Sequence, residues 1–571
     1  MIITESTNPS VKRQADADDD AAIHASRTLS FDFIASFTFG SRDYTMGQPA
    51  RFMNEELEEG GNDEVSNHED GSSDEEYERT IEASKIRARK AQRMKPSVYG
   101  KRPKEGDPLL DIVKVANKSD LNSWGKSWNL RLSQDLASAL AEVVTFLAKS
   151  CSCDVDFSKA DIDNEDVEGI VKEVVTGAIR GQGQATSEDP FGKKNKQCRQ
   201  FKINYELVWD IIVREIYSKA QSTSALLILV KYAVAFSQCN VRPCRVGATL
   251  AALQLVTSFI SLAKQQQETR ETVQRQLHAE ERRDQLRTSS RLQSLRTALT
   301  NSHEAVLALQ SLMKQLISGV FVHRYRDIDD MLRTECISSL GHWCGEYQTF
   351  FLKDTYLKYL GWSLNDKVAS VRIAALTALQ KLYDMEQNHT PLDTFTTRFK
   401  TRILEMTCDI CPAVGVKALG VLTRLIREEL VEVTDCDRGF LLLIDDSPQL
   451  RLAAAELVTA LVYTSSSADD EAPDSRLNCL LQLISEYAET ETDVSYIVDA
   501  LWENNSTLKD WRNILRVLLT GDEQLSEADK TNLVFIFSRC VRKGTGESLV
   551  PGMNDKKPLT KTQKVFVPSA K

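Results

Sequence analysis

The chain carries 71 Lys and Arg against 82 Asp and Glu over 571 residues, a formal net charge of −11. That balance excludes a protein coated in positive potential, so any contact with nucleic acid has to come from a local basic patch. The length fits roughly three or four ordinary domains. The 12 Cys lack paired spacings, which points to buried thiols in a reducing compartment and not to a disulfide framework.

Residues 1–105 lack sustained helical periodicity and are rich in Asp, Glu, Ser, Gly and Asn. Such a segment buries too little apolar surface to offset its ordering entropy, so a disordered acidic tail is expected. Its opening, MIITESTNPSVKR, has no apolar core behind a basic start, and no secretory signal is expected. FDFIASFTF at 31–39 is an apolar exception that fits a strand, a docking segment or a misassigned exon. Residues 54–80 hold 12 acidic side chains against one Arg, and SSDEE at 72–76 suits an acid-directed kinase. Then come Lys85, Arg87, Arg89, Lys90, Arg93, Lys95, Lys101, Arg102 and Lys104 with no acid among them. This block reads as a nuclear-import signal, a phosphate-binding arm or a solvated stretch that neutralises the acidic run.

Apolar periodicity begins with LLDIV at 109–113, and from there to about 541 the chain reads as helices with short breaks. Residues 106–262 form a first set of helical repeats. Gly125-Lys126-Ser127 is not a phosphate loop, because Asp120 stands where a P-loop needs its first Gly and no strand precedes it. PFGKKNKQCRQFK at 190–202 reads as a basic loop leading into an apolar helix from Tyr205 to Ile216. Lys193, Lys194, Lys196, Arg199 and Lys202, joined by Arg242 and Arg245 at a later turn, are candidate DNA contacts. A charged loop that only keeps the array soluble is the alternative.

From about 263 to 294 the sequence turns strongly polar without Gly or Pro, which gives a long exposed helix supported by pairs such as Glu271 and Arg275. Val273, Leu277, Leu292, Leu295 and Leu299 supply narrow apolar stripes, so 263–318 is expected to project as an antiparallel helical hairpin. No run reaches about eighteen uninterrupted apolar residues; the best, 224–236, contains Lys231, and no membrane span is expected.

From 319 onward a small signature repeats, twice by residue 402 and again after it: an Asp, a branched apolar residue five places on, then Arg. It appears as Asp327, Leu332 and Arg333, as Asp366, Val371 and Arg372, and as Asp445, Leu450 and Arg451. Asp409 and Val414 form a copy that lacks the Arg. Successive Asp positions lie 39, 43 and 36 residues apart, near the period of about 40 to 47 of two-helix HEAT or armadillo repeats. An Asp in the turn can accept from the free N–H groups of the second helix. The Arg is expected to point outward and pair with the Asp of the next repeat. Val371, Ala374, Ala375, Ala378 and Leu379 fall at helical spacing and are small enough for close stacking. The competing reading is a helical bundle with these charges on its surface. Cys408-Asp409-Ile410-Cys411 is a lone CxxC, read as two helix-packing thiols and not as half of a zinc site.

FVHRYRD at 321–327, LKDTYLKYLGWSLNDK at 352–367, VRIAALTALQKLY at 371–383 and FTTRFKTR at 395–402 resemble the stromalin conservative domain. That domain defines the stromalin (STAG/SA) family, the HEAT-repeat subunit of cohesin. Weaker similarity runs from about 109 to about 560 and includes NVRPCRVGATLAALQLVTSFISLA at 240–263. The resemblance implies an all-α, HEAT-repeat-type α-solenoid with a projecting hairpin, a conservative domain over 319–405, further repeats over 406–543 and an irregular tail over 544–571. It also implies a chain shorter than most members.

Tyr325, Trp362 and Phe399 fall near corresponding positions of successive repeats, with Asp354, Lys358 and Arg398 interleaved. Stacked repeats would bring them into one aromatic and cationic groove suited to peptides bearing an aromatic residue. The alternative places Trp362 and Phe399 in the inter-repeat core. These six match the family surface that receives regulators with an aromatic-x-Phe motif; Asn365, where members often carry His, is a departure beside it. The resemblance implies a nuclear, chromosome-associated, non-catalytic scaffold without cofactor or metal. It would bind the kleisin subunit of cohesin, and through it the SMC ring, together with DNA by backbone contacts. No HExxH or Gly-Xaa-Ser-Xaa-Gly pattern supports an enzyme. A protein-only α-solenoid adaptor of the nuclear-transport or phosphatase-scaffold type is the rival reading.

Overall fold

The computed structural model describes residues 107–164, 166–181, 190–192, 196–220, 223–283, 290–464, 473–520 and 526–550. The acidic tail, the apolar patch at 31–39, every cation of the 85–104 block, Lys193, Lys194 and residues 551–571 lie outside them. Among the described residues the regular structure is helical, without strands.

A short helix, Leu109–Val115, precedes α1 (Lys118–Gln134) and α2 (Leu136–Ser150). Asn117 starts α1 with a capping box: its side chain accepts from the N–H groups of Ser119 and Asp120, and Asp120 accepts from Asn117 in return. Gly125 of the GKS tripeptide sits in mid-helix, where an added Cβ would overlap Ile211 at 2.5 Å. There α1 and α4 (Lys196–Ala220) approach closely, and the glycine serves packing. Because α4 begins at Lys196, residues 196–202 of the expected basic loop are the helix's first turns. After α3 (Val167–Gly181) and α4 come α5 (Thr223–Ser237) and α6, which runs unbroken from Arg242 to Arg283.

The polar stretch after 263 is therefore the far half of a helix whose near half is core, and no boundary falls there. Helix α7 (Ser290–Leu316) packs antiparallel along it. Leu277 and Leu292 are buried in the seam, and Arg296 pairs with Glu281 across it at 2.9 Å. The expected Glu271 and Arg275 ion pair is replaced by a bond from Arg275 Nε to the Glu271 carbonyl at 3.3 Å. Tyr347 fixes the base of the hairpin, its hydroxyl accepting from Gln267 and Gln310 at 2.9 Å each. By length and composition Arg242–Arg282 and Ser290–Arg324 could each cross a membrane, although polar residues interrupt both apolar runs. In α6 the apolar window is 83% buried against neighbouring helices, as in a core helix.

The repeats follow as α8 (Asp330–Glu346), α9 (Asp354–Ser363), α10 (Ala369–Tyr383), α11 (His389–Glu405), α12 (Pro412–Arg427) and α13 (Pro448–Thr464). Then come α14 (Pro473–Tyr487), α15 (Glu491–Leu501), α16 (Trp511–Thr520) and α17 (Glu527–Gly544). The helices α8, α10, α12, α13 and α15 stack in succession. Small residues set their spacing: an added Cβ on Gly341 would lie 2.3 Å from that of Ala378.

The Asp/Arg signature is a ladder. Each Asp folds its turn by accepting an N–H two residues on: Asp327 from Asp329, Asp366 from Val368, Asp409 from Cys411 and Asp445 from Ser447, at 2.7 to 2.9 Å. Each Arg donates to the carbonyl of its own Asp and then reaches the next repeat. Arg333 meets Asp366 at 2.7 Å, Arg372 meets Asp409 at 2.8 Å and Arg451 meets Asp499 at 3.8 Å. These side chains are only 2 to 14% exposed, so they point along the stack and not outward. The degraded copy has Gly415 in the Arg place, where a Cβ would meet the Thr407 carbonyl at 2.7 Å. Cys411, at the start of α12, is half-buried against the core, whereas Cys408 is exposed, so only one of the two CxxC thiols packs.

Candidate partner-binding site

Helix α7 continues through a π-helical turn (Ile317–Phe321) and one further turn (Val322–Arg324) before Tyr325 ends the run. The π turn shifts the register, and Phe321 and Tyr325 stack at 6.0 Å and face α9. From α9, Tyr359 meets Tyr325 edge-on at 4.8 Å and Phe321 at 5.3 Å. Trp362, one turn on, lies 6.4 Å from Tyr325 and at right angles to Tyr359, 5.6 Å away. Tyr359 is thereby sealed as a floor at 8% exposure, while Trp362 stands above it at 40%. Burial pushes the hydroxyls of Tyr325 and Tyr359 above the ordinary phenol value, so both stay protonated donors at neutral pH.

Lys358 lies over these rings, its Nζ 5.2 Å from Tyr359 and 5.6 Å from Trp362. On α11, Phe399 is half-buried and packs on Phe395 at 4.7 Å, with the Arg398 guanidinium 5.5 Å from its ring. The tip of Phe399 abuts Gly361, the residue before Trp362. Tyr325, Lys358 and Trp362 thus form one cluster, with Phe399 and Arg398 adjoining it through Gly361. Asp354 opens α9, exposed, one helical turn before Lys358.

Most arginines of this region are committed: Arg333 and Arg372 to the ladder, Arg324 to Asp327, Arg402 to Glu405 and Arg424 to Asp384. Lys358 and Arg398 differ, since among the described residues neither has a carboxylate partner. Among the described residues, then, these two cations rest on exposed or half-exposed rings without a neutralising acid.

The cations expected at DNA divide differently. Lys196 and Arg199 are exposed on the first turns of α4. Lys202, one turn further, binds Glu335 of α8 and lies 3.8 Å from Glu206. Arg242 pairs with Asp329 at 2.7 Å. Arg245 is a ladder member, bound to Asp327 at 3.1 Å and to the Asn240 carbonyl at 2.7 Å. Lys202, Arg242 and Arg245 therefore join helices, and they lie outside the set of free surface cations. Sequence reading missed Arg245 as a rung because Cys239 replaces the Asp six residues before it. It also missed Phe321, Tyr359 and Phe395; the signal was their spacing of three or four residues from Tyr325, Trp362 and Phe399.

Residues 187–298 match the STAG domain, 326–400 the stromalin conservative domain and 496–570 the cohesin subunit SCC3/SA HEAT-repeats domain. Sister-chromatid cohesion protein 3 of Arabidopsis thaliana is 35% identical over 462 residues, covering 79% of this chain and 41% of that protein. Cohesin subunit SA-3 of Homo sapiens is 29% identical over 473 residues, covering 80% and 38%. The chain spans about two fifths of the length of these curated relatives. Cohesin subunit Scc3 from Z. rouxii shares the fold, with a TM-score of 0.66 at 18% identity over 82% of this chain and 58% of that structure. With three family domains matched in order along one helical repeat array, the chain belongs to the stromalin (STAG/SA) family of cohesin subunits.

Proposed function

We propose that the chain is a non-catalytic scaffold of the cohesin complex, acting in the nucleus on chromosomes in sister-chromatid cohesion and chromatin organisation. It binds the kleisin subunit along the repeats and the SMC ring through it. It meets DNA through phosphate contacts from Lys196, Arg199 and neighbouring lysines, and it offers the Tyr325, Trp362 and Phe399 surface to regulators with an aromatic-x-Phe motif. Multivalent binding supplies the function, and no cofactor is needed. The cohesin names of the relatives support the scaffold role.

One observation carries the peptide reading: Lys358 and Arg398 rest on exposed or half-exposed rings and lack carboxylate partners among the described residues. A peptide ring seated beside Trp362 leaves flanking Asp or Glu within reach of both cations, joining desolvated aromatic contact to charge-assisted bonds. Titration of a synthetic Phe-Asp-Phe peptide flanked by glutamates tests it. Trp362→Ala combined with Arg398→Glu should abolish binding while helicity and thermal midpoint stay near those of the unsubstituted chain. Undiminished binding refutes the site, and a large loss of stability shows that these side chains are core. Salt-sensitive duplex binding without kleisin supports the chromosomal reading, whereas its absence at low salt favours a protein-only adaptor.

A further inference from the structure

The groove's second aromatic wall has an unusual seat. The distal atoms of Phe399, Cζ, Cε2 and Cε1, lie 2.2, 2.4 and 2.6 Å from the place a Cβ on residue 361 would occupy. Non-bonded carbons approach only to about 3.5 Å, so Phe399 keeps this position only while residue 361 is glycine. Gly361 is buried in the last turn of α9, and it lacks the positive φ that would call for glycine on backbone grounds. Phe395 at 4.7 Å and the Arg398 guanidinium at 5.5 Å hold the remainder of the ring.

We infer that Gly361 is a positioning residue of the peptide groove: the gap it leaves fixes how far Phe399 advances toward Trp362, and so sets the width available to a partner's ring. This rests on the groove reading above. The chemistry follows from the neighbours. Trp362 follows Gly361 in sequence and Phe399 meets it in space, with Lys358 against the first ring and Arg398 against the second. A ring with an acid on either side is the partner chemistry these two rings and two cations suit. An alanine at 361 pushes the ring tip outward by rotation of Phe399, because the displaced atoms are the free end of a side chain and not backbone.

The test is a double-substitution cycle in the full chain, read by titration with the Phe-Asp-Phe peptide and by thermal midpoint. Gly361→Ala is expected to weaken binding by at least about tenfold, with Trp362, Lys358 and Arg398 all intact. Phe399→Leu removes both the wall and the clash. In that background Gly361→Ala should change affinity by less than about twofold, because both substitutions act through one ring. This arm remains readable if Gly361→Ala alone fails to fold. Binding by Gly361→Ala within about twofold of the unsubstituted chain overturns the inference, as do losses that multiply in the double variant. Peptide binding that survives Trp362→Ala with Arg398→Glu overturns the groove itself, whereas binding lost there and kept in Gly361→Ala overturns only the role of Gly361.

Discussion

Arg333 on α8 grips Asp366 of the next repeat through two parallel bonds, Nε to Oδ2 at 2.7 Å and Nη2 to Oδ1 at 2.9 Å. Its remaining nitrogen donates to the carbonyls of Asp327 and Ile328 in its own turn. One side chain thus closes a turn and joins two repeats, with both partners 14% exposed. Removing one member of such a pair leaves the other buried without a counter-charge. Arg333→Met should cost about 3 to 5 kcal/mol, read by native-state hydrogen exchange in α8 and α10. A loss below about 1 kcal/mol, as for a surface pair, would contradict the ladder.

The gap in the ladder tests the same idea from the other side. Restoring the signature by Gly415→Arg should destabilise by about 1 to 3 kcal/mol, because a Cβ there meets the Thr407 carbonyl at 2.7 Å and Leu450 at 2.9 Å. A rise in thermal midpoint would show that the missing rung is only a lost charge.

The joint at Asp327 should be acid-sensitive. Burial pushes its carboxyl up, but the Asp329 N–H and the guanidiniums of Arg245 and Arg324 outweigh it, and the group lies below its ordinary 3.8. A carboxyl lowered by folding confers stability that is complete above its unfolded value, about 3.9, and lost as pH falls through the folded one. Glu206, at the Lys202 contact, is pushed up by burial, with Glu335 adding and Lys202 opposing. Its contribution is complete below about 4.3 and lost as pH rises through the folded value. Asp327→Asn should flatten the acid limb of a stability against pH curve, and Glu206→Gln the limb above it. Unchanged limbs in both variants would remove these groups from the balance.

Tyr359 and Trp362 should separate stability from binding. Tyr359 is 8% exposed among four aromatic and cationic neighbours, and Tyr359→Ala should cost about 3 to 5 kcal/mol. Trp362 at 40% exposure should cost far less on truncation yet lose the peptide. Equal destabilisation, by chemical denaturation, would place both in the core.

For nucleic acid the split lies between free and committed cations. Lys196→Glu with Arg199→Glu should weaken duplex binding and lower the salt slope by about 2 at unchanged thermal midpoint. Arg245→Glu should instead break the Asp327 joint. Filter binding across salt concentrations distinguishes them, and an unaltered slope in the first variant would exclude α4 from the DNA contact.

The sequence by itself determined the helical class, the repeat period, the rungs at Asp327, Asp366, Asp409 and Asp445, and the aromatic positions Tyr325, Trp362 and Phe399. Each is carried by local periodicity or by a short fixed offset that a helix turns into a face. Tertiary structure alone decided which cations were spent. Lys202, Arg242 and Arg245 look as free as Lys196 and Arg199 until α4 and α6 meet the Glu335, Asp329 and Asp327 side chains. It also decided that Tyr359 lies beneath Trp362, and that Phe399 comes to rest on Gly361. Those pairings join residues up to 133 positions apart, and the register of one helix against another is set by how whole faces pack, which no local pattern encodes.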